Sequence, residues 1–132
     1  MARLILDSGA VIALAADSRL VRSFVDEAVE RWAVIVIPAV VIAEVTRGNA
    51  RDAAVNRVIR IVDEIAPVTE TVARLAGRLL LHANRRNATS DALIVAEAIL
   101  NSEQEGAVIL TGDLDDLRVL ADGHRRVRVM SI

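Results

Sequence analysis

Five carboxylates stand where chemistry could be done: Asp7, Glu44, Asp91, Asp113 and Asp116. Asp7 follows at once on the apolar run Leu4-Ile5-Leu6, and Ser8-Gly9 then turns the chain into the apolar stretch Ala10 to Ala16. Asp113 follows the run Ala107 to Leu110 after Thr111-Gly112, with Asp115 and Asp116 close behind it. Asp91 opens the apolar segment Ala92-Leu93-Ile94-Val95-Ala96. Glu44 sits in Val40-Val41-Ile42-Ala43-Glu44-Val45, a segment with almost no polar face.

Taken singly, most of these acids have a plain structural account. Asp7 reads as the N-cap of the helix after it. Asp91 reads as a first-turn acid stabilised by the helix dipole. Asp113 and Asp116 have the spacing of a capping pair, and Asp115 reads as solvated. Glu44 is harder to place, because an unpaired buried carboxylate is costly; it either reaches a solvent edge or meets a cation. Taken together they say more. In a parallel sheet all carboxyl ends of strands lie along one edge, so Asp7 and Asp113 share that edge. Several carboxylates in one cleft repel one another and protonate in part unless a cation intervenes. Hard, oxygen-preferring Mg²⁺ or Mn²⁺ suits such a set, and ions held that way near a basic rim suit phosphodiester hydrolysis.

The elements that must position these acids are legible in outline. Strands are expected at Leu4–Leu6, Val34–Ile37, Ile65–Val68 (an edge strand, because of Pro67), Ala107–Leu110 and Val127–Met130. Between them the spacing predicts helices over Leu20–Trp32, with Val21, Val25, Ala28 and Trp32 on one face; over Ala39–Arg47, opened by Pro38 and stopped by Gly48; over Asp52–Glu64; from the Thr69 cap to about Asn84; over Asp91–Asn101, capped by Ser90; and from Asp113 to about Leu120. Strands alternating with helices argue for a parallel α/β sheet covered on both faces. The 132 residues suffice for one domain, 1–132, with a sizeable core, and no repeat or linker interrupts them.

Composition removes several alternatives. There is no cysteine, which excludes disulfides, thiolate metal sites and cysteine nucleophiles. All 16 basic residues are arginine, so chemistry that depends on lysine is excluded while bidentate phosphate contacts remain available. A phosphoryl-transfer domain of the receiver or haloacid dehalogenase kind also places an acid after its first strand, but it uses a lysine. Phe24 and Trp32 are the only aromatics, which leaves little for base stacking. His82 and His124 have no partner at metal-ligand or triad spacing, and Ser8 or Ser90 as a nucleophile lacks a nearby base. Arg47 and Arg51 follow the Glu44 helix and Arg85-Arg86 precede Asp91; a solvated surface is the common fate of such arginines, but this placement also allows phosphate contact. Arg125, Arg126 and Arg128, at the other end of the chain, read as solubilising or packing residues. The apolar content of 54% comes without a bilayer-length run, and no signal-peptide pattern opens the chain, so a cytoplasmic protein with no membrane association is expected. The apolar faces of three helices exceed what one small sheet can cover and predict a homodimer that buries them away from the acids.

The ordered set Leu4-Ile5-Leu6-Asp7-Ser8-Gly9-Ala10-Val11-Ile12, Pro38 to Glu44, Ser90-Asp91-Ala92-Leu93-Ile94 and Leu110-Thr111-Gly112-Asp113-Leu114-Asp115-Asp116-Leu117 resembles the PIN-domain ribonucleases, and among them most the VapC-type toxins of toxin–antitoxin modules. The resemblance implies a three-layer α/β/α sandwich whose five-stranded parallel sheet is ordered 3-2-1-4-5. It implies a metal-dependent endoribonuclease using Mg²⁺ or Mn²⁺, with Asp7, Glu44, Asp91 and Asp113 as the acidic quartet and Asp116 as an additional ligand. Ser8 and Thr111 would be supporting hydroxyls, RNA the substrate, and an antitoxin protein the occupant of the cleft. Ser8-Gly9 departs from the family's usual small residue followed by Ser or Thr. A degenerate PIN domain that holds RNA or protein without cutting is the competing reading; the intact acids argue against it.

Overall fold

The computed structural model describes residues 2–102 and 105–132. Five strands, β1 (Arg3–Leu6), β2 (Val34–Pro38), β3 (Glu64–Ala66), β4 (Ala107–Thr111) and β5 (Val127–Ser131), form one sheet in the order β3-β2-β1-β4-β5. Every pairing is parallel, with Leu4 opposite Ile35 on one side and Val108 on the other. The three inner strands are continuous apolar runs because both faces of the sheet are covered. Leu4, Ile5, Leu6, Val36, Ile37, Ile109 and Leu110 are all fully buried.

The helices are α1 (Ser8–Ala15), α2 (Arg19–Glu30), α3 (Ala39–Val45), α4 (Ala53–Ile61), α5 (Glu70–Ala83), α6 (Thr89–Leu100) and α7 (Leu114–Leu120). A short 3-10 turn, Ala50–Asp52, precedes α4. α1 packs against α2, α3 and α4 on one face, and α5, α6 and α7 pack against one another on the other. The chain leaves β1 toward β2 and returns from β3 to β4 on the opposite side, so the two halves part between β1 and β4. Crevices of this kind, at the carboxyl edge of a parallel sheet, are where such folds bind ligands. No described helix is long and apolar enough to cross a membrane.

Several boundaries differ from the sequence reading. Pro38 does not open α3; it is the last residue of β2 and occupies the cap position. α3 ends at Val45, where Thr46 turns extended, rather than at Arg47. Ser90 does not cap α6, which begins a residue earlier, with Ala88 in the cap position. β3 ends at Ala66, so Pro67 lies outside the strand. Trp32 leaves the helical face assigned to it: α2 stops at Glu30, Trp32 takes a φ of 61°, and its side chain is 93% exposed. Helical spacing continued to Trp32, but two residues beyond the helix end it no longer describes a direction.

Candidate active site

Asp7 is both a cap and a cleft residue. One carboxylate oxygen accepts from the Ala10 backbone N–H at 2.9 Å, while its own N–H donates to the Leu110 carbonyl at 3.2 Å. The same residue therefore starts α1 and ties the end of β1 to the end of β4. It is only 5% exposed, and it lines a cleft of about 460 Å³ together with Ser8, Glu44, Asp91 and Asp113. The segment Asn87–Ser90, before and at the start of α6, lines the same cleft.

Glu44 lies one residue from the end of α3 and is exposed, so it reaches a solvent edge and the cleft at once. Partial burial raises its carboxyl above the usual range, and the charge of Asp7 adds to this. Asp91, in the first turn of α6, is raised further, to about 6: first by burial, then by Asp113, Asp116, Glu44 and Asp7 in turn. A helix N-terminus favours a negative charge, so the upward shift means that desolvation and like charges win. Asp113 is raised by loss of solvent and by Asp116 beside it.

Asp113 occupies the cap position of α7 but makes no side-chain capping bond, so the capping-pair account of Asp113 and Asp116 does not hold. The backbone N–H of Asp113 instead donates to the hydroxyl of the fully buried Thr111 at 2.7 Å. One carboxylate oxygen from each of Asp91, Asp113 and Asp116 lies within 4.8 Å of the others. Three acids that close, with the carboxyls of Asp91 and Asp113 pushed up, match the donor set of a hard divalent ion.

The PIN domain family profile matches residues 4–122. The chain belongs to the PIN-domain family. PIN domains are nucleases, and the sheet order 3-2-1-4-5 is the one expected of the fold. No curated relative matches in sequence. Among solved structures, the PIN domain superposes on a chain of VapBC2 from Rickettsia felis bound to a fragment of promoter DNA, with a TM-score of 0.76 at 13% identity over 98% of both chains. A chain of FitAcB from Neisseria gonorrhoeae gives 0.65 at 18% identity over 96% of both. DNA-bound VapBC from Salmonella typhimurium gives 0.65 at 15% identity over 99% of this chain and 98% of that one.

The arginines of this PIN domain distribute unevenly around the cleft. Arg85 forms an ion pair with Asp116 at 3.7 Å and so touches the acidic cluster directly. Arg47 turns back to donate to the carbonyls of Ala43, Glu44 and Thr46, closing the carboxyl end of α3. Arg51 and Arg86 are exposed. Asp52, which the sequence placed only at the start of a helix, is buried and accepts from the backbone N–H groups of Arg47 at 3.0 Å and Gly48 at 2.8 Å, fastening the loop that follows the Glu44 helix. Its signal was weak, since Gly48-Asn49 with a carboxylate four residues after the glycine marks a turn, but the buried environment arises only from the tertiary fold.

Proposed function

We propose that this PIN domain is a Mg²⁺- or Mn²⁺-dependent endoribonuclease and the toxin of a VapBC-like toxin–antitoxin pair. The observation that carries the proposal is the close approach of Asp91, Asp113 and Asp116, two of which, Asp91 and Asp113, line one cleft with Asp7 and Glu44. Asp91, Asp113 and Asp116 hold the cation, and Asp7 and Glu44 complete the acidic set. A divalent ion bound there supplies an activated water and offsets charge on the phosphate.

The remaining residues bind and orient. Arg85 and Arg86, before α6, and Arg51, after α3, hold the RNA backbone through bidentate phosphate contacts, and Arg47 joins them only by leaving the α3 carbonyls. Arg85 is the most direct of them, because its ion pair with Asp116 lets it exchange a carboxylate for a phosphate oxygen. Thr111 keeps the Asp113 turn in place and Ser8 lines the cleft. The likeness to chains of VapBC and FitAcB structures supports the toxin role, with a cognate antitoxin as the partner that covers the cleft.

Purified protein incubated with RNA, with and without Mn²⁺ and with excess EDTA, tests the activity. Cleavage that requires the metal supports the proposal, whereas RNA bound but never cut leaves only a binding module. The proposal includes a homodimer, since Ile61 and Leu81 remain 66% and 79% exposed on α4 and α5. Sedimentation at micromolar concentration should give a dimer; a monomer contradicts that part alone.

A further inference from the structure

Two acid-bearing turns meet in this molecule backbone against backbone. Gly9 is the second residue of α1, two residues after Asp7, and Gly112 stands between the end of β4 and Asp113. A Cβ placed on Gly9 would lie 3.2 Å from the Gly112 nitrogen, 3.3 Å from its Cα and 3.4 Å from an Asp7 carboxylate oxygen. A Cβ on Gly112 would meet nothing nearer than the Gly9 Cα at 3.8 Å, an ordinary contact. The closeness is therefore one-sided: it depends on the missing side chain of Gly9.

We propose that Gly9 is a positioning residue, whose bare backbone lets the β4–α7 turn close against the start of α1 and so sets the distance between Asp7 and Asp113. The surrounding bonds give this contact its consequence. Asp7 is held on both sides, by its cap bond to the Ala10 N–H and by its own N–H on Leu110. The Asp113 turn is held by the hydroxyl of Thr111, which is fully buried. A methyl on Gly9 thus presses on the Gly112 backbone, so the Asp113 turn backs away by a few tenths of an ångström from the Asp7 carboxylate, which the methyl only touches. A few tenths of an ångström is the scale on which a preorganised site loosens. Helix propensity acts the other way, since Ala is favoured over Gly inside α1. Metal affinity and fold stability should therefore part company in Gly9→Ala.

The role rests on the metal-site reading above. Its test is Mn²⁺ binding, followed by the loss of the free-ion electron paramagnetic resonance signal, beside thermal melts without metal. Wild type, Gly9→Ala, Gly112→Ala and Gly77→Ala are compared. Gly9→Ala should melt within a few degrees of wild type, bind Mn²⁺ about five- to tenfold more weakly, and regain RNA cleavage as Mn²⁺ is raised. Gly112→Ala should weaken binding less. Gly77 lies within α5 with nothing within 4 Å of a Cβ, so Gly77→Ala should melt higher with Mn²⁺ binding unchanged. If Gly9→Ala does not fold, Thr111→Val removes the acceptor that holds the same turn and should weaken Mn²⁺ binding in a folded chain. Mn²⁺ affinity equal to wild type in Gly9→Ala, or in Thr111→Val where that variant decides, overturns the positioning role and leaves the metal site standing. A wild type that binds no Mn²⁺ overturns both.

Discussion

Helix α6 carries two partly or wholly buried acids that the molecule treats in opposite ways. Glu97, in its second half, is 2% exposed and accepts from Arg3 at 2.7 Å and from the Asn101 side chain at 3.1 Å. Arg3 also bonds Glu64, so one guanidinium on β1 serves two carboxylates, on α6 and on β3. Burial pushes the Glu97 carboxyl up, and Arg3 beside it opposes that rise. Asp91, in the first turn of the same helix, is less buried, yet its surroundings are Asp113, Asp116, Glu44 and Asp7. Strand β1 shows the same contrast from end to end, with Arg3 in its first position and Asp7 just beyond its last. At the amino edge of the sheet acids are neutralised within the chain. At the carboxyl edge five acids are collected and, among the described residues, the cation paired with them is the half-exposed Arg85 on Asp116, an arrangement that weakens the apo fold and suits a ligand supplied from outside.

The largest effect in this comparison should come from the paired end. Arg3→Met leaves Glu97 buried without its cation and should destabilise the fold by about 3 kcal/mol in urea unfolding at neutral pH, because breaking a buried pair on one side leaves an uncompensated charge. Arg3→Met combined with Glu97→Met should recover most of that loss. A single-mutant loss below about 1 kcal/mol shows that the pair is not what holds this edge together.

The second effect has the opposite sign. Asp91→Asn removes one of several crowded charges and should stabilise the apo protein by about 1 kcal/mol at pH 7.5, after discounting for its partial exposure, or about 3–5 °C in melting temperature. The pH dependence follows from the raised value. An acid that titrates near 6 in the folded chain and 3.8 in its reference state holds its proton more tightly when folded. Its stabilising contribution is complete below about 3.8 and is lost as pH rises through about 6. Apo wild type should therefore lose more stability than Asp91→Asn between pH 4 and 7. Parallel stability–pH curves contradict the crowding.

The smallest effect concerns Arg85. Its ion pair with Asp116 is half exposed at 3.7 Å, so Arg85→Ala should change stability by less than about 0.5 kcal/mol. It should nevertheless weaken RNA binding and reduce the salt slope by about one. An unchanged slope places Arg85 outside the RNA path.

Much of the carboxyl edge was legible in the sequence, and little of the amino edge was. A carboxylate directly after an apolar run is tied to a strand's carboxyl edge by topology, so Asp7 and Asp113 could be brought together before any coordinates, and Asp91 and Glu44 joined them through the resemblance. The family match and the sheet order bear out the fold. Arg3, Glu64 and Glu97 are separated by 61 and 94 positions along the chain and belong to no pattern. Their meeting depends on strand order and on the helix laid across it. The Asp113–Asp116 capping pair went wrong for a local reason: Thr111 took the Asp113 N–H, and the Asp113 carboxylate does not cap α7. Trp32 was misplaced because α2 ends two residues before it.

The central claim is that the acids at the carboxyl edge form one cation site, and melting curves with and without Mn²⁺ test it most directly on wild type and Asp7→Asn beside an RNA cleavage assay. Asn caps a helix almost as well as Asp, so the substitution removes the charge with little change to the start of α1. Wild type should gain several degrees with Mn²⁺, by mass action on the folded state, and should cleave RNA. Asp7→Asn should melt at or above apo wild type, gain much less from Mn²⁺ and lose cleavage. Equal Mn²⁺ shifts in the two proteins, with cleavage intact in Asp7→Asn, contradict the shared site and return Asp7 to the role of a helix cap.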